Sequence, residues 1–107
     1  MKLIQAVVEP EALGRVQEEL SRVEVFRLTI GDVQTLSRDD SESSVMTWEA
    51  RPGIRLEIAV NENFVKPTLD ALYRALDVEG EKRGTLYVLP LKDAIRIRTG
   101  ERGPEAI

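Results

Sequence analysis

Neither cysteine nor histidine occurs in these 107 residues. Without cysteine there is no disulfide framework, and without either residue there is no Cys/His zinc site. Cys–His and Ser–His–Asp catalysis fall with them, because each needs an imidazole that titrates near neutral pH. A hard-metal site built from carboxylates alone stays open. No carboxylate spacing matches a calcium loop, however, so no tightly bound metal is expected. No apolar run approaches the ~18 residues of a membrane span. The opening stretch Met1 to Glu9 is too short and too soon interrupted for a signal peptide, so the expected location is the cytoplasm, without membrane insertion. Positive charge is not in excess: 15 Lys+Arg face 19 Asp+Glu, a net charge of −4. That balance lacks the concentrated basic surface that nucleic-acid binding requires. A general base could only be Asp, Glu, Lys or Tyr. No carboxylate pair is placed for acid–base work, so no enzymatic activity is expected.

What is present is an ordinary globular balance, 42% hydrophobic and 32% charged, in a chain long enough for one domain. A chain of this size buries only a modest share of its surface, so association with further copies would help it. Leu3 to Val8 reads as a buried strand. Pro10 can open a helix, and Leu13, Val16, Leu20 and Val23 then recur on one helical face, predicting a helix from Pro10 to Ser21. Val25 to Ser37, rich in β-branched and apolar residues, predicts one long strand or a bent one, with Gly31 a candidate bulge. Ser37 to Gly53 is polar and aperiodic and reads as a long loop, of the kind that is usually functional or disordered. Ile54, Leu56, Ile58 and Val60 alternate with Arg55 and Glu57, a half-buried strand. Val65, Leu69, Leu72 and Leu76 predict a second helix. It is capped by Asn61 or Asn63 and starts near Asn63, so that Pro67 falls in its first turn. A charged turn around Gly80 leads to a fourth strand, Gly84 to Pro90, and then to a short turn and extended segment from Lys92.

The order β, α, β, loop, β, α, β is the split βαβ, a ferredoxin-like α+β arrangement with one antiparallel sheet. Both helices carry a single apolar stripe, so both cover the same sheet face. The other face keeps apolar residues that one copy would leave wet, which predicts a subunit interface. Arg96 and Arg98 alternate along the last extended segment and so point to one side. Their planar, permanently charged guanidinium groups suit phosphate, although a pair of solvated edge charges would look the same. Met46 and Trp48 are apolar residues in a polar loop, either binding anchors or side chains folded back onto the sheet.

The run Ala94-Ile95-Arg96-Ile97-Arg98-Thr99-Gly100-Glu101-Arg102-Gly103, within Tyr87 to Ile107, closely resembles the end of PII signal-transduction proteins. Met1-Lys2-Leu3-Ile4-Gln5-Ala6-Val7-Val8-Glu9-Pro10 resembles the family's first strand. Thr29-Ile30-Gly31-Asp32-Val33 resembles its second, and Arg55-Leu56-Glu57-Ile58 its third. The resemblance covers nearly the whole chain. It implies a single PII-like domain assembled as a homotrimer, with clefts between subunits for adenine nucleotide and a projecting T-loop that grips a target protein. The T-loop would be about residues 37–53, the phosphate-side turn about 78–85 and the C-terminal segment 92–107. The nucleotide or anion site would be Thr29, Arg38, Lys82, Arg83, Gly84, Thr85, Arg96 and Arg98. The partner surface would include Met46, Trp48 and Arg51.

The sequence also departs from the family pattern. Where PII proteins carry a glycine-rich run ending in lysine, this chain reads Val78-Glu79-Gly80-Glu81-Lys82-Arg83-Gly84-Thr85. An ordinary charged turn fits those residues as well. Glycine follows Pro52 where a lysine is usual, and the usual glutamine near the second strand's end falls at Asp39 or nearby. These changes favour ADP, AMP or another anion over ATP with magnesium and 2-oxoglutarate. No tyrosine lies in the loop, which excludes uridylylation there. Ser41, Ser43 and Ser44 are either phosphorylation sites or plain solvated loop. The chain therefore reads as a divergent PII-like regulator of a target protein, a membrane transporter among the candidates. The alternative is a PII-fold adaptor that has lost ligand sensing.

Overall fold

A computed structural model describes residues 1–38, 47–78, 80–82 and 84–107. Residues 39–46, 79 and 83 lie outside the described residues, as do the side chains of Val78, Glu81 and Lys82. The main sheet has four antiparallel strands: β1 (Lys2–Val8), β2 (Thr29–Arg38), β3 (Trp48–Val60) and β6 (Leu86–Pro90). Their spatial order is β2-β3-β1-β6, with β2 and β6 on the edges. Two helices, α1 (Leu13–Arg22) and α2 (Glu62–Leu76), connect them. A two-stranded ribbon, β4 (Asp77–Val78) and β5 (Glu81–Lys82), fills the turn before β6. This is the expected ferredoxin-like arrangement.

Alternation decides which sheet face is covered. Ile4, Ala6 and Val8 on β1 and Ile54, Leu56, Ile58 and Val60 on β3 point to one face and are buried. They meet Val16 and Leu20 of α1 and Ala71, Leu72 and Ala75 of α2 in one core. Each large apolar side chain so buried stabilises the fold by roughly 1.5–3 kcal/mol. An ion pair between Arg74 and Glu19, 3.0 Å long, joins the helices on their outer side.

Several boundaries differ from the sequence expectation. The first helix opens with a 3-10 turn at Pro10–Ala12 and becomes α-helical only at Leu13. β2 starts at Thr29 rather than Val25. The chain first reverses at Glu24, whose φ is 63°, and the amide of Val25 donates to the Leu20 carbonyl to close the helix end. Pro67 is the sixth residue of α2, beyond its first turn. It removes one helical hydrogen bond, that to the carbonyl of exposed Asn63, which water can replace.

The largest difference concerns Ser37 to Gly53, expected as loop. The ladder between β2 and β3 continues through Leu36↔Ala50 and Ser37↔Glu49 to Arg38↔Trp48. A backbone ladder carries this extension. Its side chains from Thr35 to Arg38 and from Trp48 to Pro52 are exposed, so no hydrophobic pattern announces it.

Candidate functional site

The uncovered sheet face displays the odd-numbered residues of β1 and β3. Leu3, Val7, Val33, Ala59, Tyr87 and Leu89 make it largely apolar, and Tyr87 is 56% exposed. At its centre Gln5 Nε2 donates to Glu57 Oε1 at 3.2 Å, and Arg55 Nε approaches the same oxygen at 3.4 Å.

The C-terminal segment crosses one end of this face. It is tied there by the amide of Leu91 donating to the Met1 carbonyl and by Asn61 Nδ2 donating to the Pro104 carbonyl. It is not extended, as the alternation of Arg96 and Arg98 implied. Ile95 pairs with Arg102, the Arg96 amide donates to Glu101 and the Gly103 amide to Ala94. The result is a small hairpin with residues 97–99 at its tip. Arg96 sits on an arm and is half-buried. Arg98 sits in the turn and is exposed, so the two do not share one side. The reason is local: the Gly100 amide donates to the Arg96 carbonyl at 2.7 Å and folds the chain back between them.

Asp93 closes the base of this hairpin. Its Oδ1 accepts from the Ala94 amide and its Oδ2 from Arg102, both Nε and Nη2. The Arg102 hydrogen bond, helped by the amide, holds the Asp93 carboxyl below the usual aspartate range. Glu62 is likewise held low, by a hydrogen bond from the amino group of Met1.

Between the hairpin and the sheet lies an open cleft of about 480 Å³, whose walls include Thr29, Arg96, Glu57, Leu3, Ala59 and Arg27. Thr29 and Arg96 therefore line the same cleft. The Nε of Arg96 is buried and has no hydrogen-bond partner. Arg27 is not among the residues that the sequence points to. Its only signal is its spacing of two from Thr29, which in an extended chain puts both side chains on one side.

Gly84 and Thr85 do not join this cluster. They precede β6 at the opposite sheet edge from Thr29, roughly 14 Å away at ~4.8 Å per strand. Gly84 has a φ of 98° and packs so closely on β1 that a Cβ there would lie 3.1 Å from the Val7 carbonyl oxygen. The turn before it is a tight ribbon in which Asp77 pairs with Lys82 and Val78 with Glu81. Lys82 lies in that ribbon, and Arg83 is outside the described residues. Arg38 stands far along the β2–β3 hairpin, nine residues from Thr29 and opposite Trp48, remote from the cleft.

Of the expected partner residues, Met46 is outside the described residues. Trp48 is 65% exposed and does not fold back onto the sheet. The paired Leu36 and Ala50 share its side of the hairpin, giving one apolar strip. The other side carries Arg51 and Glu49, 3.7 Å apart. Among the described residues no group of three or more Asp or Glu side chains is arranged to hold a metal ion. None of their helices is long and apolar enough to cross a membrane.

A family model described as nitrogen regulatory protein P-II matches residues 1–101. Nitrogen regulatory protein GlnK1 of Methanosarcina mazei is 40% identical, over all of this chain and 97% of its own length. Nitrogen regulatory protein P-II of Bradyrhizobium diazoefficiens is 30% identical over the whole of both chains. Among solved structures, GlnK of B. subtilis in complex with ATP aligns with a TM-score of 0.84 at 24% identity, over 99% of this chain and 96% of that one. PII of Arabidopsis thaliana bound to citrate aligns with a TM-score of 0.80 at 23% identity, over 99% of this chain and 91% of that one.

Proposed function

This chain belongs to the nitrogen regulatory protein P-II family, and from that premise we propose that it is a cytoplasmic homotrimeric regulator that binds an adenine nucleotide between subunits. As a member of that family it is a signalling regulator and not an enzyme. The observation that carries the reading is the division of the candidate site. Thr29 and Arg96 stand at one sheet edge and Gly84 and Thr85 at the other, with an apolar uncovered face between them. One copy cannot close its two edges on one ligand. Three copies packed through those faces bring the edges of neighbours together and cover Leu3, Val7, Tyr87 and Leu89 at the same time. ADP, AMP and ATP are the ligands considered, and the ATP complex of the B. subtilis relative supports the class. Arg98, exposed at the hairpin tip, would reach across such a cleft.

The β2–β3 hairpin, read as the T-loop, would carry the signal to a target protein. Trp48 with Leu36 would supply an apolar anchor and Arg51 a charge. A ligand that prefers one arrangement of the hairpin would change target affinity, and the target would change ligand affinity by the same factor. A membrane transporter is a fitting class of target.

The adaptor reading keeps one specific observation in its favour. The turn that should wrap phosphate spends its backbone groups in the Asp77↔Lys82 and Val78↔Glu81 ladder. Light scattering and titration calorimetry with ATP, ADP and AMP separate the readings. A trimer that binds at least one nucleotide supports the regulator. A trimer that binds none supports the adaptor, and a monomer removes both.

A further inference from the structure

Phe26, at 79% exposure, is the most exposed aromatic side chain among the described residues. The local chain path puts it there. The backbone reverses at Glu24, in the left-handed region with a φ of 63°, and the Val25 amide donates to the Leu20 carbonyl. Val25 and Leu28 then pack against the core. Phe26 and Arg27, between these two anchors, form an outward arch before β2 begins at Thr29. An exposed phenyl ring contributes little to the fold. Its large contact area counts only when something covers it.

The arch forms part of the wall of the cleft beside the C-terminal hairpin. Leu3, Ala59, Ala94 and Ala106 give that cleft an apolar surface. Its arginines share the wall with the carboxylate of Glu57 and the α-carboxylate of Ile107, so its charges offset one another. Thr29 adds a neutral hydroxyl. Such a surface fits a flat, uncharged ring, with apolar contact for its faces and a few polar groups at its edge. In a nucleotide that part is the base. We propose that Phe26 binds the base of the nucleotide, stacking its ring on the base plane, with Thr29 at the base edge. This rests on the nucleotide reading above and deepens it, by assigning the base end of the ligand to the connection between α1 and β2.

Calorimetric titration of the full chain and its F26A, F26L and F26W variants with ATP, ADP and AMP tests it. F26A should weaken all three by about five- to a hundredfold, the range for removing an aromatic ring from a stacked base. F26W should retain wild-type affinity. F26L, which keeps apolar bulk without a flat face, should recover little of the loss. In F26W the added indole should also be quenched by ATP, beyond any change in the wild-type emission of Trp48. Equal nucleotide affinity in wild type and F26A would overturn the stacking and leave the nucleotide reading standing. Full recovery in F26L, or an added indole that ATP does not quench, would overturn it too. Light scattering covers the other occupant of the ring, a second copy of the chain: an F26A variant that no longer assembles as wild type does would assign Phe26 to the subunit contact and overturn the proposal. A wild-type chain that binds none of the three nucleotides would remove the nucleotide reading itself.

Discussion

Gly84 is where the turn before β6 is pinned to the sheet, and replacing it with alanine should be costly for two separable reasons. Its φ of 98° lies outside the range open to L-residues, and positive φ of this kind costs about 1–2 kcal/mol. The added Cβ would also sit 3.1 Å from the Val7 carbonyl oxygen. Val7 is held in register with Arg55, so the backbone must give by a few tenths of an ångström, for about 1 kcal/mol more. The sum, about 2–3 kcal/mol, corresponds to a fall in Tm of about 10–20 °C for a domain of this size. Two companion substitutions isolate the terms. Gly100 also has positive φ, 76°, but no atom lies within 4 Å of the place its Cβ would take, so Gly100→Ala should lose only the first term. Gly14 lies in α1 with open space around it, so Gly14→Ala should gain about 0.5–1 kcal/mol. The entropy that alanine removes from the unfolded chain is common to all three and cancels in the differences. Urea unfolding at constant m-value reads them. If Gly84→Ala costs no more than Gly100→Ala, the close packing of the turn on β1 is wrong.

Further outcomes follow from single residues. Asp93 has a depressed folded pKa, so its link to Arg102 is present above the ordinary aspartate value near 3.9 and is lost as pH falls through the folded value below it. The Asp93 carboxyl, followed by NMR, should titrate at lower pH than in Arg102→Ala; identical midpoints would contradict the clasp. Thr68 is fully buried and its hydroxyl has no partner. Thr68→Val should therefore be neutral or stabilise by about 1 kcal/mol in urea unfolding, whereas a loss of that size would reveal a hidden hydrogen bond. Trp48, the one tryptophan, is exposed on the hairpin. Its fluorescence should be open to iodide quenching, and Trp48→Ala should change stability by no more than about 0.5 kcal/mol. A shielded, blue-shifted emission would mean that the side chain packs on the sheet.

Much of the fold was legible because burial follows a period. Ile54, Leu56, Ile58 and Val60 declare a strand by alternation, and Val16 and Leu20 declare a helix face, and both lie in the core. The family resemblance was equally legible from the run around Arg96. The length of the β2–β3 hairpin was not, since backbone pairing between exposed strands leaves no mark in the hydrophobic pattern. Nor was the fold-back at Gly100, where one amide bond to Arg96 overrides the apparent alternation of Arg96 and Arg98. Arg27 escaped because it joins Arg96, nearly seventy residues away in sequence, only in the lining of the folded cleft.

Mixing two defective subunits tests the shared site most directly. Arg96→Ala disables one edge of the sheet and Thr85→Glu the other, so trimers of either variant alone should fail to bind ATP. Subunits unfolded together and reassembled should regain binding, in about one cleft of three per mixed trimer, because only a cleft between unlike neighbours in one order holds both intact edges. Recovery at that level is the result expected of a site completed between chains. No recovery, with wild-type subunits reassembling to full binding by the same procedure, would mean that each chain builds its site alone.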